Sequence, residues 1–513
     1  MMAPGRSRSR PLKKIKKAAC LLAAFWGSCV ASQSFAVEKA LLVHWEEAEL
    51  TSLARGIGQE LAEEPVTGSL AAPLAGSIGG DLFIAKGLNF SVSVVETDAK
   101  FNGSTGILSK IQLNHLVINI GQIQFLNSPT KVCRNVSIST GSHILPLKVD
   151  VVPEVGDGQL ILSSTNIVLS SGSSTFHADN LGPCSAGINA DLFAKKLGHQ
   201  AAQALKFAIA EGLAERATDT IASHLGSINQ GLGSIFKLPF LQPNAPMLGA
   251  SVQLVPEAVI VGPKSIDISL GAEFSFATET HLETARQFLP MFQKQKRSSS
   301  WIGITDEFLN GAVIAANDQG IFSPTLNATT VPSMIDLLKA NSVQSLAPDA
   351  RQRFNGSEPV SIVFGKAPKI SVIYQPNGPG GIPIIDMLLD NIDIQIAVGG
   401  RPYLSTVNTM QFRFTTEMDK ESNKLSLKFF DAKSKVTAYK FSKDLYPRPR
   451  DRSFDRAGFT DYLKRFVAAH YVGPNLRSGL TLPSIEIGSY YVSWQRVRMI
   501  DQMLILETSI QSE

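Results

Sequence analysis

The sequence predicts an α+β protein in which antiparallel sheets are covered by long helices. Apolar and polar residues alternate over many stretches, most regularly from Ser265 to Phe276, and such alternation indicates strands with one apolar face. The stretch from Ile188 to Pro239 instead carries apolar residues at helical spacing throughout, which predicts one long helix. The order helix, strands, long helix then occurs a second time, so we predict two related units.

The long helix has an apolar stripe that advances mostly in steps of four residues. Each such step overshoots the 3.6-residue turn by about 40°, so the stripe winds around the helix and suits a strongly twisted sheet. Alanines on and beside the stripe leave room for a ligand between helix and sheet. The pocket candidates on this helix are Leu197, Ala201, Leu205 and Ile209. An ordinary long core helix is the alternative, and the pattern alone leaves it open.

Two shorter helical patterns supply further pocket candidates. The segment 46–61 is predicted to be helical, and its apolar face includes Leu50, Leu53 and Ile57. The segment 455–472 is similar, and its apolar face includes Phe459, Leu463 and Phe466. The long helix at 188–239 directly follows the first run of strands and is expected to cover their apolar face. A further helix is predicted at 305–316, and the small residues of 68–80 predict irregular structure.

The N-terminus has the pattern of a secretory signal peptide. Seven basic residues precede an apolar run from Ala18 to Val30, which is followed by Ser34, Phe35 and Ala36. This order predicts cleavage after Ala36, so residues 1–36 are assigned to the signal peptide. The apolar run is too short to span a membrane comfortably. The expected location is therefore the periplasm or the extracellular space.

The net charge of the chain depends on this leader. Removing its seven basic residues changes the formal net charge from +4 to −3. Residues 37–245 carry 13 Lys and Arg against 18 Asp and Glu. The excess of basic over acidic residues thus comes from the leader and gives no argument for binding nucleic acid.

The cysteines divide between leader and mature chain. Cys20 and Cys29 lie in the leader, and Cys133 and Cys184 remain. An even pair in an exported chain favours one disulfide. A metal site is the weaker interpretation, since two cysteines without a nearby His cluster do not complete one. We expect no metal and no other cofactor.

The segment Gln242 to Met247 (QPNAPM) is predicted to separate the two units. One unit then covers residues 37–245 and the other covers residues 246–513. A local repeat supports duplication, because 232–239 (LGSIFKLP) and 476–483 (LRSGLTLP) share Leu, Ser, Leu and Pro in register.

Three segments carry a resemblance to one family of lipid-binding proteins. They are Ser265–Phe276 (SIDISLGAEFSF), Gly303–Ile321 (GITDEFLNGAVIAANDQGI) and Leu480–Thr508 (LTLPSIEIGSYYVSWQRVRMIDQMLILET). With these segments and its two similar halves, the chain resembles the family of bactericidal/permeability-increasing protein, lipopolysaccharide-binding protein, and the phospholipid and cholesteryl ester transfer proteins. The resemblance extends over most of the mature chain, and the order and spacing of the segments carry it.

This resemblance implies an elongated boomerang of two twisted antiparallel barrels, each wrapped on a long helix, joined by a central antiparallel sheet. It assigns the strands at 252–276 and 485–510 to the central sheet and implies an apolar pocket for lipid acyl chains in each half. It also implies that a disulfide between Cys133 and Cys184 ties a strand to the long helix. The implied function is the binding or transfer of phospholipid-like or neutral lipids, with transient contact to a membrane surface.

One feature departs from the antimicrobial members of that family. Those proteins bind lipid A through a basic tip on the first barrel, whereas here the first unit is net negative and its first helix ends on Glu60, Glu63 and Glu64. A lipopolysaccharide-binding defence protein is therefore the second interpretation, and a non-lipid interaction scaffold is the third.

The sequence shows no catalytic signature. It contains neither a G-x-S-x-G elbow nor an H-E-x-x-H pair, which mark common hydrolases. Its eight histidines, among them His199 and His224 on the long helix, lack the spacing of metal ligands. We therefore expect a binding protein and no enzyme. An outer-membrane barrel would also have a leader and alternating strands, but the long helices and the inward apolar faces oppose it.

Overall fold

A computed structural model of the chain describes residues 33–78, 80–103, 106–128, 130–172, 175–181, 190–233, 251–276, 299–318, 320, 322–343, 346, 354–375, 382–419, 424–442, 454–471, 480–481, 486–500 and 503–512. The described part is a mixed α+β protein built mostly of strands, with a curled sheet and a few helices. Most of the predicted signal peptide, and the predicted boundary at 242–247, lie outside these ranges.

The helices of the described part are α1 (Glu47–Ala62), α2 (Ala190–Gly233), α3 (Asp306–Asp318), α4 (Ala340–Val343) and α5 (Arg456–Tyr471). Helix α1 carries Glu47 and Glu49 in its first turn, where the helix dipole favours negative charge. Helix α2 has 44 residues and so extends over about 65 Å. It is long enough to contact one sheet along its first half and a second sheet further on.

The strands of the described part follow in chain order. They are β1 (Gln33–Glu46), β2 (Val66–Leu70), β3 (Leu74–Ile78), β4 (Asp81–Phe101), β5 (Ile107–Phe125), β6 (Val132–Ser139), β7 (Leu145–Gly156), β8 (Gln159–Leu169), β9 (His177–Asp179), β10 (Ser251–Val261), β11 (Ser265–Phe276), β12 (Trp301–Thr305), β13 (Thr325–Leu326), β14 (Val360–Phe364), β15 (Lys369–Gln375), β16 (Ile384–Val398), β17 (Arg401–Asp419), β18 (Lys424–Phe441), β19 (Leu480–Thr481), β20 (Glu486–Ile487), β21 (Tyr490–Ile500) and β22 (Met503–Ser512).

The N-terminal sheet consists of β2 to β9. Its order is β2-β4-β5-β6-β9, with β3 on β4, β7 on β5 and β8 on β7, and all pairs are antiparallel. One part of β5 pairs with β7 and the other part pairs with β6. Register shifts between Ser91 and Glu96 interrupt the pairing of β4 with β5, and such irregularities bend a strand and increase its twist. The sheet therefore curls.

The composition of the small-residue segment 68–80 predicted irregular structure, but most described residues of this segment form strands. It contains part of β2 and all of β3, and both strands pair with β4. The prediction was wrong because backbone pairing at a sheet edge satisfies the amides of a strand, whatever side chains it carries.

The packing of α2 against the N-terminal sheet forms one core. The first half of the helix contributes Phe193, Leu197, Ala201, Leu205 and Ile209, which are all fully buried. They share this core with alternate apolar residues of β4 and β5. Burying each of the larger side chains contributes about 2 kcal/mol, so this half of the helix is fixed to the sheet.

The C-terminal sheet has the order β13-β14-β16-β17-β18-β19, with β15 on β16. Helix α5 packs on its core through Phe459, Tyr462 and Leu463, which are fully buried. Helix α3 contributes Phe308 and Ala315 to the same core.

The central sheet has the order β10-β11-β1-β12-β22-β21-β20, so it joins strands from both ends of the described chain. Strand β1 was not predicted, since Ala40, Leu41, Leu42 and Val43 are consecutive apolar residues. The structure explains the missing alternation, because both faces of the strand are covered. Leu41 and Val43 face one core, whereas Leu42 packs with Trp301 on the other face. The predicted cleavage site after Ala36 lies within this strand.

Candidate functional site

A cavity of about 270 Å³ lies where α1, α2, the N-terminal sheet and the central sheet meet. Thirty-seven described residues line it, and only five of them have polar side chains, namely Thr97, Ser109, Ser164, His224 and Thr508. An apolar hollow of this size with few polar groups is the usual form of a small-molecule site.

Helix α1 forms one wall of the cavity. The wall residues lie on one helical face, because they recur at spacings of three and four, and they are Leu50, Leu53, Ala54, Ile57 and Leu61. The structure thus places all three sequence-predicted candidates of this helix at the cavity.

The second half of α2 forms the opposite wall. Its residues at the cavity also follow helical spacing, and they are Ala210, Leu213, Ala214, Ala217, Ile221 and His224. The four candidates predicted on this helix, Leu197, Ala201, Leu205 and Ile209, are not among the lining residues and belong to the packed core formed by the preceding part of the helix. The reason is tertiary: side chains of the N-terminal sheet fill the space beneath the first half of the helix, whereas among the described residues a gap borders the helix from Ala210 to His224.

Strands complete the enclosure. The N-terminal sheet contributes alternate residues of β4, β5, β7 and β8, among them Ala99, Ile107, Val151 and Leu160. The central sheet contributes alternate residues of seven described strands, among them Leu41, Val43, Trp45, Ile266, Ile268, Leu270 and Trp494. Sequence alternation had marked β11 as a half-apolar strand, but the pattern could not show that its apolar face borders empty space.

Two of the three candidates predicted at 455–472, Phe459 and Leu463, do not line this cavity. Phe459 and Leu463 lie in the core of the C-terminal sheet and are at most 1% exposed. The side chain of Phe466 lies outside the described part. The pocket that the resemblance implied for the second half is therefore not assigned to these residues.

A group of polar contacts lies at one end of the cavity, next to His224. Nε2 of His224 lies 3.0 Å from Oε1 of Glu60 on α1. The same carboxylate oxygen accepts a hydrogen bond from the backbone N–H of Gly488 (3.1 Å), and Oε1 of Gln59 accepts one from the N–H of Ser489 (2.7 Å). Glu60 thus connects α1, α2 and the β20–β21 turn. Sequence reasoning gave His224 no role; the available signal was its position one turn after Ile221 on the same helical face.

Close backbone packing supports this end. Gly56 of α1 lies against the carbonyl oxygen of Ile487, and there is no space for a Cβ atom at Gly56. Ile487 itself lines the cavity. A glycine at this position lets the helix approach the turn closely enough for the Gln59 and Glu60 hydrogen bonds to form.

The face of the central sheet away from the cavity carries a charged cluster. Nδ1 of His44 lies 2.5 Å from Oδ1 of Asp267, its Nε2 lies 3.3 Å from Oε1 of Glu46, and its ring stacks on Trp301. Burial disfavours the charged imidazole, but the hydrogen bonds and charges of Asp267 and Glu46 outweigh it, so the pKa of His44 is raised. This ion pair joins β1 to β11.

A second perturbed group lies at the start of α3. Burial raises the pKa of Asp306 to about 7, and the hydrogen bond and negative charge of Glu307 add to the shift. Neither this carboxyl nor His44 lines the cavity.

The described residues also bear on metal binding and on membrane insertion. These residues contain no group of three or more His, Cys, Asp or Glu that could hold a metal ion. Within the same ranges, no helix combines the length and apolarity that a membrane span requires. Cys133 is buried on β6 opposite Ile123, and Cys184 lies outside the described part. The pairing of the two cysteines stays a prediction.

Comparison with known proteins gives structural neighbours only. No family model matches the chain, and no curated protein matches its sequence. A crystal structure of lipopolysaccharide binding protein aligns over 92% of this chain and 99% of its own, with 13% identity and a TM-score of 0.38. The structure of P47 from Clostridium botulinum A2 aligns over 92% and 98%, with 8% identity and a TM-score of 0.23. Structural similarity at these TM-scores carries no argument about function. Any argument about function therefore has to come from the residues of the cavity.

Proposed function

We propose that the protein binds lipids and holds their acyl chains in the cavity between α1, α2 and the two sheets. The observation that carries this proposal is the composition of the wall, in which 32 of the 37 described lining residues are apolar. Water in such a hollow finds too few hydrogen-bond partners to be held well. An acyl chain needs none, whether it belongs to a neutral lipid or to a phospholipid-like molecule.

The apolar wall of the cavity supplies a large part of the binding energy that a lipid would need. Each methylene transferred from water to the apolar wall contributes about 0.8 kcal/mol. A chain that buries about ten methylenes therefore gains roughly 8 kcal/mol before the costs of association and ordering are subtracted. With an association cost of about 4 kcal/mol or more, ten methylenes leave at most about −4 kcal/mol, so a micromolar affinity of about −8 kcal/mol requires about 4 kcal/mol or more from further buried parts of the lipid.

We also propose that the protein is exported from the cytoplasm. The leader at residues 1–36 would direct the chain to the periplasm or the extracellular space, where the disulfide between Cys133 and Cys184 can form. The mature protein would then be the boomerang of two barrels, at 37–245 and 246–513, that holds or transfers lipid between membranes through transient surface contact. It would act without a catalytic residue or cofactor.

Native mass spectrometry of the exported protein tests the binding proposal, combined with lipid extraction and analysis of the extract. The expected result is a stoichiometric adduct with the mass of a lipid, which organic extraction removes. A protein that carries no lipid and takes up none from phosphatidylcholine or diacylglycerol vesicles would contradict the proposal. In the same spectra, a mature N-terminus at Val37 and a mass lower by two hydrogens than the reduced chain would support export and the disulfide.

A further inference from the structure

The cavity wall contains no group that can neutralise an anion. Among the described residues that line it, none is Lys or Arg, and His224 is the one ionisable side chain. Burying a carboxylate or a phosphate without a paired cation costs several kcal/mol. Among the described lining residues, an anionic headgroup therefore finds no Lys or Arg to pair with.

The imidazole of His224 is already committed to a carboxylate. Oε1 of Glu60 accepts a hydrogen bond from the backbone N–H of Gly488, and a backbone amide can only donate. The same oxygen lies 3.0 Å from Nε2 of His224, so the imidazole donates to it through Nε2–H. A neutral imidazole that donates through one nitrogen has a lone pair on the other. In the neutral form of His224, Nδ1 is therefore a hydrogen-bond acceptor, and the ring makes no other hydrogen bond among the described residues.

The charges around this end of the cavity also disfavour an anionic headgroup. Glu60 lies in the last turn of α1, and Glu63 and Glu64, which are exposed, directly follow the helix. Arg216 of α2 approaches this end, where its guanidinium donates to the carbonyl oxygen of Glu64 (2.6 Å). With three carboxylates against one guanidinium, the local potential disfavours a negative headgroup.

From these contacts we infer that the cavity selects an uncharged amphiphile whose polar end carries a hydrogen-bond donor, such as a hydroxyl group, directed at Nδ1 of His224. This inference depends on the proposed function and narrows it, because it separates neutral hydroxylated lipids from fatty acids and phospholipids. The acyl chain lies against the walls formed by α1 and α2, and the hydroxyl group lies at the end closed by Glu60. The hydroxyls of Thr97, Ser109, Ser164 and Thr508 also line the cavity, but they are uncharged and cannot compensate a charge.

Three probes of one chain length test the inference: 1-dodecanol, dodecyl methyl ether and laurate. Their competition with a fluorescent fatty-chain probe is measured on the full-length exported protein at about pH 8.5, where laurate is ionised. The alcohol is expected to bind about fivefold more tightly than the ether, which lacks the donor, and at least about tenfold more tightly than laurate, which brings an unpaired charge.

Two variants assign these preferences to one side chain. His224→Phe is expected to reduce the difference between alcohol and ether to less than about twofold, because it removes the acceptor. His199→Phe is the matched control on the same helix; His199 contacts Phe176 and does not line the cavity, so this variant should keep the full preference. Circular dichroism melting curves of both variants show whether the fold is retained.

The outcomes separate the two proposals. If laurate or the ether binds as tightly as the alcohol, or if His224→Phe keeps the wild-type preference, the inference is wrong while lipid binding stands. If none of the probes binds and the exported protein carries no lipid, the proposed function is wrong as well.

Discussion

Replacing Ala217 with tryptophan is expected to block the cavity while the fold remains intact. Ala217 lies on the cavity wall of α2 and is only partly buried, so its larger replacement can extend into empty space. If the indole displaces about five methylenes of a bound chain, at about 0.8 kcal/mol each, binding weakens by about 4 kcal/mol, or about a thousandfold. Because the indole buries apolar surface of its own, the melting temperature should not fall.

The assay is displacement of a fluorescent fatty-chain probe, measured together with thermal unfolding. Ala222→Trp is the matched control, because Ala222 is exposed on the same helix and does not line the cavity. It should bind the probe like the wild type. Leu205→Trp is the opposite control: Leu205 is fully buried in the packed core, and overpacking should cost about 1–3 kcal/mol of stability.

Wild-type affinity in Ala217→Trp, with the fold retained, would refute the assignment of the cavity as the lipid site. A loss of affinity in Ala222→Trp of the same size would also refute it, since the effect would then not depend on the cavity. Loss of binding together with unfolding would be resolved by Ala217→Phe, whose smaller ring leaves part of the cavity open and should weaken binding less.

Three other changes test the surrounding structure. Gly56→Ala should lower the melting temperature and weaken probe binding, because a Cβ atom would collide with the carbonyl of Ile487 and separate α1 from the turn; Ser52→Ala, on the exposed side of α1, is its control. Because the pKa of His44 is raised, the folded state binds the proton more tightly than the unfolded chain. The protonated imidazole therefore stabilises the fold at low pH, and this stabilisation is lost as pH rises through the folded pKa. Urea titrations at different pH values should show the loss, and Asp267→Asn should abolish this pH dependence. The pKa of Asp306 is raised from 3.8 to about 7, so the free energy of unfolding should fall as pH rises between these values. Asp306→Asn should flatten that part of the stability–pH profile. An unchanged slope in this variant would contradict the assignment of the pH dependence to Asp306.

Local patterns in the sequence were sufficient for the elements and for their apolar faces. Alternation over Ser265 to Phe276 gave a strand, and the spacing of Leu50, Leu53 and Ile57 gave one face of a helix. Those three residues reach the cavity because α1 has one apolar face and a short helix cannot bury it in two places. A face is a property of spacing along the chain, so the sequence alone determines it.

The location of the cavity was decided by the tertiary structure. The stripe on α2 is apolar from Phe193 to Ile221, and nothing in its spacing separates the half that packs against the N-terminal sheet from the half that borders the hollow. That division depends on how far the sheet curls and on where the central sheet meets it, through pairings as distant in the chain as β1 with β11 and β12 with β22. Such pairings bring together residues that share no local pattern, and for this reason Glu60, His224 and Gly488 could be recognised as one group only in the folded chain.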